Sequence, residues 1–374
     1  MLCQRLIVIA LIAGLHAPMA EAEIRIATAG PMTGSAAWIG EQYLRAAEMA
    51  VEDLNSRGGV LGQRVELIVG DDFCDRDQAV AVARKLTSDG VVFVAGHFCS
   101  HSSIAAAQVY EEAGILQISP GSVSSKLTDV GRPNVFRLCG RDDQQGMKVA
   151  DHLANQWASK RIAILDDDTT FGAGLANAVR RRLHELGVRV ALDYTFTAGA
   201  SDYSALVSKM QSAGIDVFFV GGLHPETGLI FRQAHDRGYS VRLVAPSSSA
   251  TGDFPMIAGQ GVEGTFMAAA ADARANPGAA EVVARFRAHG YEPVGFTLYA
   301  YAAVQVWARA VEEVGSLDLA AVVKAMHGSR FDTVLGQIGF DERGDVTGFE
   351  PWQWYVWRAD GTYVPVRTEN NQGK

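Results

Sequence analysis

From residue 23 onward, short runs of β-branched and other apolar residues alternate with segments that have the period of a helix. Residues 23–29 (EIRIATA) predict a strand, and residues 41–57 predict a helix that ends at Gly58 and Gly59. The segments 91–96 and 115–119 predict further strands, each apolar on both faces. Buried strands separated by helices indicate a parallel sheet with right-handed crossovers.

A second series of the same kind begins after Cys139. It predicts strands at 161–168, 191–196, 217–222 and 242–246, alternating with helices at 144–157, 174–186, 203–212 and 225–237. Each series is long enough to bury a core of its own. The sequence therefore predicts an α/β protein with two doubly wound, Rossmann-like lobes.

The rest of the chain predicts mostly helices. Those at 279–289, 297–314 and 319–326 have too few strands between them to form a separate sheet, so we expect them to return to the first lobe. Residues 352–366 predict a hairpin that turns at 359–361.

The first 22 residues have the pattern of a secretory signal. Arg5 precedes an apolar core at residues 6–15, and the small residues Ala20 and Ala22 come directly before Glu23. That core is too short to span a bilayer. We therefore expect cleavage before Glu23 and export without a lipid anchor.

The net charge of −9 disfavours nucleic acid or an anionic membrane as partner, because either would need concentrated Lys and Arg. The basic run at residues 180–182 is interpreted as a solvated helix face.

Three cysteines follow the predicted cleavage point: Cys74, Cys99 and Cys139. In an oxidising compartment one pair can form a disulfide, which leaves one thiol. Cys139 lies in the apolar segment VFRLC and is interpreted as a buried small hydrophobe.

Catalytic and cofactor motifs are missing. The sequence has no G-x-S-x-G, H-E-x-x-H or P-loop pattern, and Gly172 and Gly174 lack the third glycine of a dinucleotide turn, because Asn177 stands there. His97 and His101 flank Cys99 as possible metal ligands, but a disulfide is the better use of that cysteine. We expect no enzyme activity, cofactor or metal.

Small polar residues follow two neighbouring strands. Ser100 comes after the strand 91–96, and Ser122 comes after the strand 115–119. At the carboxyl ends of parallel strands, hydroxyl groups and free helix N–H groups suit an anionic or carbonyl oxygen of a ligand. The alternative is that both serines only cap helices.

The chain resembles the periplasmic branched-chain amino acid (Leu/Ile/Val) binding proteins of ABC transporters. The resemblance runs over nearly all of residues 23–374, through motifs that include DLNSRGGVLGQRVEL, DDFCDRDQAVAVARKL, GHFCSHSS, YEEAGILQISPGS and FDERGDVTGF.

The resemblance implies the type I periplasmic binding fold, with three hinge crossings between the lobes and the solute in the cleft. Lobe 1 would comprise residues 23–140 and 270–350, and lobe 2 residues 141–269 and 351–374. It also implies a disulfide between Cys74 and Cys99, a periplasmic monomer and permease subunits as partners.

The resemblance also implies a set of ligand contacts, with Ser100 binding a carboxylate. The candidate residues are Trp38, Phe98, Cys99, Ser100, Ser122, Val123, Phe171, Leu223 and Ser247. Several of them depart from the family. Val123 replaces a threonine, and Ser247 replaces the glutamate that binds the ligand ammonium. Phe171 replaces a tyrosine, and Leu223 replaces another aromatic residue.

Without that glutamate, an ammonium group would be buried at a cost of several kcal/mol unless Asp142 or Glu226 replaced it. We therefore hypothesise a carboxylate or amide ligand with an apolar or aromatic body packed against Trp38, Phe98 and Phe171. A transported amino acid is the alternative ligand. A periplasmic ligand sensor is the alternative function, and an enzyme on the same scaffold is a third.

Overall fold

The structure is a computed structural model that describes residues 23–366, so the predicted signal at 1–22 lies outside the described residues. Its strands are β1 (Ile24–Gly30), β2 (Val65–Asp71), β3 (Phe93–Gly96), β4 (Leu116–Ser119), β5 (Val135–Arg137), β6 (Ile162–Asp166), β7 (Val190–Thr195), β8 (Val217–Gly221), β9 (Arg242–Ala245), β10 (Phe266–Ala270), β11 (Phe331–Thr333), β12 (Gly336–Phe340), β13 (Val346–Thr347), β14 (Trp352–Trp357) and β15 (Tyr363–Pro365).

The longer helices follow the predicted positions, with ends that differ by a few residues, whereas the short helices at 126–129 and 254–258 were not predicted. They are α1 (Ala37–Ser56), α2 (Arg76–Ser88), α3 (Ser100–Ala113), α4 (Lys126–Asp129), α5 (Asp142–Trp157), α6 (Thr170–Glu185), α7 (Ser204–Ser212), α8 (His224–Asp236), α9 (Phe254–Ala258), α10 (Ala280–Ala288), α11 (Thr297–Val314) and α12 (Leu319–Gly328). Among residues 23–366, none of these helices has the length and apolar character needed to cross a membrane.

Two large sheets confirm the predicted two-lobed α/β fold. The first has the order β2-β1-β3-β4-β5 and is parallel throughout. The second has the order β15-β14-β10-β9-β8-β6-β7; β6 to β10 are parallel, and β14 and β15 form the predicted terminal hairpin. The central strands β4 and β6 are buried along their whole length, as strands covered on both faces should be.

The chain passes between the two sheets three times. It leaves the first sheet after β5, returns after β10, and enters the second sheet again before β14. Between the second and third passages, α11 packs on α1, and apolar residues of α10 to α12 share one core with β1, β3 and β4. The three predicted helices therefore return to the first lobe, while the exact residue limits proposed for the lobes stay a prediction.

A third, small sheet of β11, β12 and β13 was not predicted. Its strands have two to five residues, and glycines interrupt their apolar pattern. Phe331, Ile338 and Phe340 are buried in the core of the first lobe. The small sheet is therefore part of that lobe.

Candidate ligand-binding cleft

A cleft opens between the two lobes, at the carboxyl ends of both parallel sheets. Its lining comes from the loops after β2, β3, β4, β6, β8, β9 and β10, together with residues of α1, the segment just before α11 and the terminal hairpin. Open α/β sheets bind ligands at this edge because several loops and helix N-termini meet there. The lining residues are Trp38, Cys74, Phe98, Cys99, Ser100, His101, Gly121, Val123, Thr169, Phe171, Leu223, Ser247, Ser248, Ala250, Ala269, Ala270, Ala271, Asp272, Arg274, Gly295, Phe296, Tyr355 and Tyr363.

The loop between β3 and α3 supplies the polar part of the first wall. Ser100 is the first residue of α3 and lines the cleft, with its hydroxyl 3.4 Å from the amide nitrogen of Ser124. The first N–H groups of a helix lack acceptors within the helix, and the helix dipole favours negative charge at this end. This wall can therefore bind a carboxylate or carbonyl oxygen.

A disulfide between Cys74 and Cys99 fixes this wall, with a Cα–Cα distance of 5.4 Å. Behind it lie three fully buried side chains. Asp72 accepts hydrogen bonds from the amide of Cys74 at 2.8 Å and from Nδ1 of His97 at 2.6 Å, and Nε2 of His97 lies 2.9 Å from the Tyr110 hydroxyl. His97 is thus part of the support for the disulfide and is occupied on both ring nitrogens.

His101, the other histidine considered as a metal ligand, lines the cleft. Its Nε2 lies 2.7 Å from the carbonyl oxygen of Cys74. Its hydrogen bond ties the start of α3 to the disulfide loop.

The structure places Ser122 differently from the prediction. Its side chain is fully buried and does not belong to the cleft lining; its hydroxyl donates to the carbonyl of Phe98 at 2.7 Å and pairs with the Ser103 hydroxyl. Ser122 therefore joins the two loops from behind. Its neighbours Gly121 and Val123 form the surface instead.

The second lobe contributes a wall of mixed character. Phe171 and Leu223 are apolar, whereas Ser247 and Ser248 are held by hydrogen bonds: Ser248 to the carbonyl of Gly222 at 2.7 Å, and Ser247 to Oε1 of Gln145 at 3.4 Å. Thr169 caps α6 by accepting from the amide of Gly172. The loops on this side are therefore fixed by their own contacts.

Aromatic rings surround the cleft. Phe98 lies at the centre of the group, with ring centroids 6.4 Å from Trp38, 5.6 Å from Phe296 and 6.2 Å from the buried Tyr43. Phe296 was missed from the sequence, as were Tyr355 and Tyr363. All three reach the cleft from segments far along the chain; the aromatic character of the hairpin was the only signal for the two tyrosines, and Phe296, just before α11, had none.

The comparison with known families agrees with this geometry. The periplasmic binding protein family matches residues 23–362. The chain belongs to this family. It is 41% identical to the amino acid binding protein of Pseudomonas aeruginosa over 92% of each chain, and 42% identical to a Leu/Ile/Val-binding protein homologue of Brucella suis over 92% of this chain and 93% of that one.

Among solved structures, the leucine-binding protein LivK of Thermotoga maritima is similar in fold. It has a TM-score of 0.83 at 27% identity, covering 92% of this chain and 98% of that chain. The predicted family and its fold are therefore confirmed, and with them a role in solute binding for ABC transport and not in catalysis.

Few side chains of the cleft lining carry a formal charge. Among the Asp, Glu, Lys and Arg residues that the structure describes, Asp272 and Arg274 are the two that line the cleft. Arg274 donates to both carboxylate oxygens of Asp272, at 2.9 and 2.7 Å, and to Glu292 at 2.7 Å. The bonds to Asp272 raise the pKa of Arg274, which stays cationic, so the one carboxylate of the lining is already neutralised.

Neither acid considered as a substitute for the missing glutamate belongs to the lining. Asp142 is buried and accepts from the amide of Ser125 at 2.9 Å, and burial raises its pKa. Glu226 accepts from the amide of Gly199 at 3.0 Å. No sequence pattern pointed to Asp272 and Arg274, which reach the cleft in the second passage between the lobes.

Proposed function

We propose that this protein is the periplasmic receptor of an ABC importer for a small organic carboxylate or amide with an apolar or aromatic body. The observation that carries the proposal is the uneven chemistry of the cleft. Hydrogen-bond donors gather at Ser100 and the start of α3, aromatic rings follow, and the only carboxylate of the described lining is bound to Arg274.

The solute's oxygen atoms would bind at Ser100 and the first N–H groups of α3. Its apolar body would contact Trp38, Phe98, Phe171 and Phe296, where burial of each methylene contributes about 0.8 kcal/mol. Val123 and Leu223 add apolar surface, and Ser247 offers a hydroxyl where an ammonium would need an anion.

An α-amino acid is the second candidate solute. It is favoured by the relatives, because the proteins of Pseudomonas aeruginosa and Brucella suis carry names that specify amino acids. In that case Asp272 would have to give up a hydrogen bond from Arg274 and accept one from the ammonium group of the solute.

The remaining parts of the proposal concern location and partners. We propose that residues 1–22 are removed on export, that the protein acts as a monomer in the periplasm, and that it delivers its solute to permease subunits. Membership of a periplasmic binding protein family supports the location and the permease partner.

The test is a thermal-shift screen of protein beginning at Glu23, freed of bound solute by unfolding and refolding. The panel contains amino acids, aromatic carboxylates, short aliphatic acids and amides. A solute at one hundred times its Kd should stabilise the protein by about 2.7 kcal/mol. Stabilisation by carboxylates that lack an amine supports the proposal, and a response confined to amino acids contradicts it.

A further inference from the structure

One aromatic contact crosses from lobe to lobe at the side of the cleft. Trp38 lies near the start of α1 in the first lobe, and His224 is the first residue of α8 in the second. Their ring centroids are 5.5 Å apart and the rings are nearly perpendicular, at 86°. Trp38 itself lines the cleft, as does Leu223, the neighbour of His224. The contact therefore connects the two lobes beside the space for the solute.

The environment of His224 suits a neutral imidazole. The residue is only 6% exposed, and among the described residues its buried Nδ1 has no hydrogen-bond partner. A neutral ring can leave one nitrogen as an unused acceptor, whereas an imidazolium has two N–H donors that both need acceptors. Protonation in this position would therefore bury an unpaired donor and a charge.

The charged groups near His224 do little to stabilise its protonated form. Burial lowers the pKa of His224, and the opposing effect comes from the carboxylate of Asp253, which precedes α9. Trp38, on the other side of the contact, carries no charge.

We infer that His224 is a positioning residue for solute binding, whose neutral ring holds Trp38 against the solute when the lobes are closed. The inference rests on the proposed function in one respect, that a solute binds in this cleft. It does not depend on whether that solute carries an ammonium group.

The expected consequence is that solute affinity depends on pH. When the lobes separate, His224 loses its contact with Trp38, and we expect its pKa to move toward the ordinary histidine value of about 6.5. Its pKa is lower in the closed state, so closure below pH 6.5 requires the loss of a proton. Affinity is therefore full above pH 6.5, and the Kd rises by up to about tenfold at pH 5.5.

The experiment measures Kd by calorimetry at pH 5.5, 6.5 and 7.5, with 3-phenylpropanoate and with leucine as probes. Aliphatic carboxylates are ionised throughout this range. His224→Phe keeps an aromatic ring beside Trp38 but cannot bind a proton. We expect it to bind the probe as the wild type does at pH 7.5, within about threefold, and to show no pH dependence. His224→Ala, which loses the contact, should bind about three- to tenfold more weakly.

His152→Phe is the matched control. His152 is also a partly buried histidine with a pKa lowered by burial, but it packs between Phe266 and Trp354 in the second lobe and is not part of the cleft lining. This variant should keep the pH dependence of the wild type. A wild-type Kd that does not change with pH, or a His224→Phe variant that keeps the dependence, would overturn the inference. If neither these probes nor any compound of the thermal-shift panel binds at any pH, the proposed function fails and this inference fails with it.

Discussion

Tyr43 and Tyr110 are both completely buried in the first lobe, but only one has a partner for its hydroxyl. The Tyr110 hydroxyl lies 2.9 Å from Nε2 of His97, whose Nδ1 lies 2.6 Å from Asp72. Among the described residues, the hydroxyl of Tyr43 has no partner. A buried polar group without a hydrogen bond reduces the free energy of unfolding.

Tyr43→Phe should therefore raise the free energy of unfolding by about 1 kcal/mol, because the variant removes only the unpaired hydroxyl. Tyr110→Phe is the matched variant. It leaves the buried Nε2 of His97 without its hydrogen-bond partner and should lower the free energy of unfolding by about 1 to 3 kcal/mol. Urea denaturation measures both. Equal destabilisation by the two variants would show that the Tyr43 hydroxyl has a partner.

At the scale of single residues, the sequence predicts well which loops form the cleft. It predicts less well which side chains of those loops face the cleft. Of the candidate residues, Trp38, Phe98, Phe171 and Ser247 belong to the lining. Ser122 lies behind the lining, because the direction of a side chain in a loop depends on backbone angles that its residue type does not determine. Whether the lining residues contact a solute stays a prediction.

At the scale of elements, a buried charge network connects β5 with the first passage between the lobes. Asp345, beside β13, accepts from Nε of Arg137 and from Nη1 of Arg141, both at 2.8 Å, and from the hydroxyl of Thr128. Arg137 is fully buried, and Asp345 is 6% exposed. Burial acts to raise the pKa of Asp345, but the charge of Arg137 and the hydrogen bonds of both arginines outweigh it and lower that pKa.

Asp345→Asn should lower the free energy of unfolding at pH 7 by about 3 to 5 kcal/mol, because it leaves the buried Arg137 without its anion. The pKa of Asp345 is lower in the folded state than in the unfolded state, where it is about 3.9, so the carboxylate stabilises the protein above that pH. Its contribution disappears as the pH falls through the folded pKa. Urea denaturation at several pH values should therefore show the difference from the wild type shrinking at the acid end.

Asp89→Asn is the control for that variant. Asp89 pairs at 2.6 Å with Lys85, whose side chain is 72% exposed, and a surface pair of this kind contributes less than about 1 kcal/mol. A loss for Asp345→Asn no larger than that for Asp89→Asn would contradict a stabilising role of the network.

The sequence did not reveal the strand β10, the short helices α4 and α9, or the short strands β5 and β11 to β13. Strand β5 has three residues, and β11 to β13 together span residues 331–347 with glycines at 336, 339 and 344. Such strands have too few residues for an alternation of apolar and polar positions, and they form because the core of the first lobe covers them. The longer helices carry several turns of apolar period, and their positions were predicted to within a few residues.

At the scale of the whole molecule, the passages between the lobes support one another. The indole nitrogen of Trp352, in the third passage, donates to the carbonyl of Arg141 in the first at 3.0 Å. Ala271, in the second, donates from its amide to the carbonyl of Pro351 at 3.0 Å. Two lobes joined in this way can close on a solute as units, and the identity of the solute is set by the residues that the lobes bring together.

The central claim is that this cleft selects a carboxylate without requiring an ammonium group. Calorimetric titration of two pairs of compounds tests it most directly: leucine with 4-methylpentanoate, and phenylalanine with 3-phenylpropanoate. Within each pair the apolar body is the same and only the amine differs.

The Ser247→Glu variant, which supplies an anion in the cleft wall, is titrated in parallel. It should gain affinity for the amino acids by roughly tenfold or more, because a hydrogen bond to a charged group contributes about 1.5 to 3 kcal/mol. We predict that the wild type binds the deaminated acid of at least one pair more tightly than its amino acid. Tighter binding of leucine and phenylalanine than of their deaminated partners by the wild type would contradict the account.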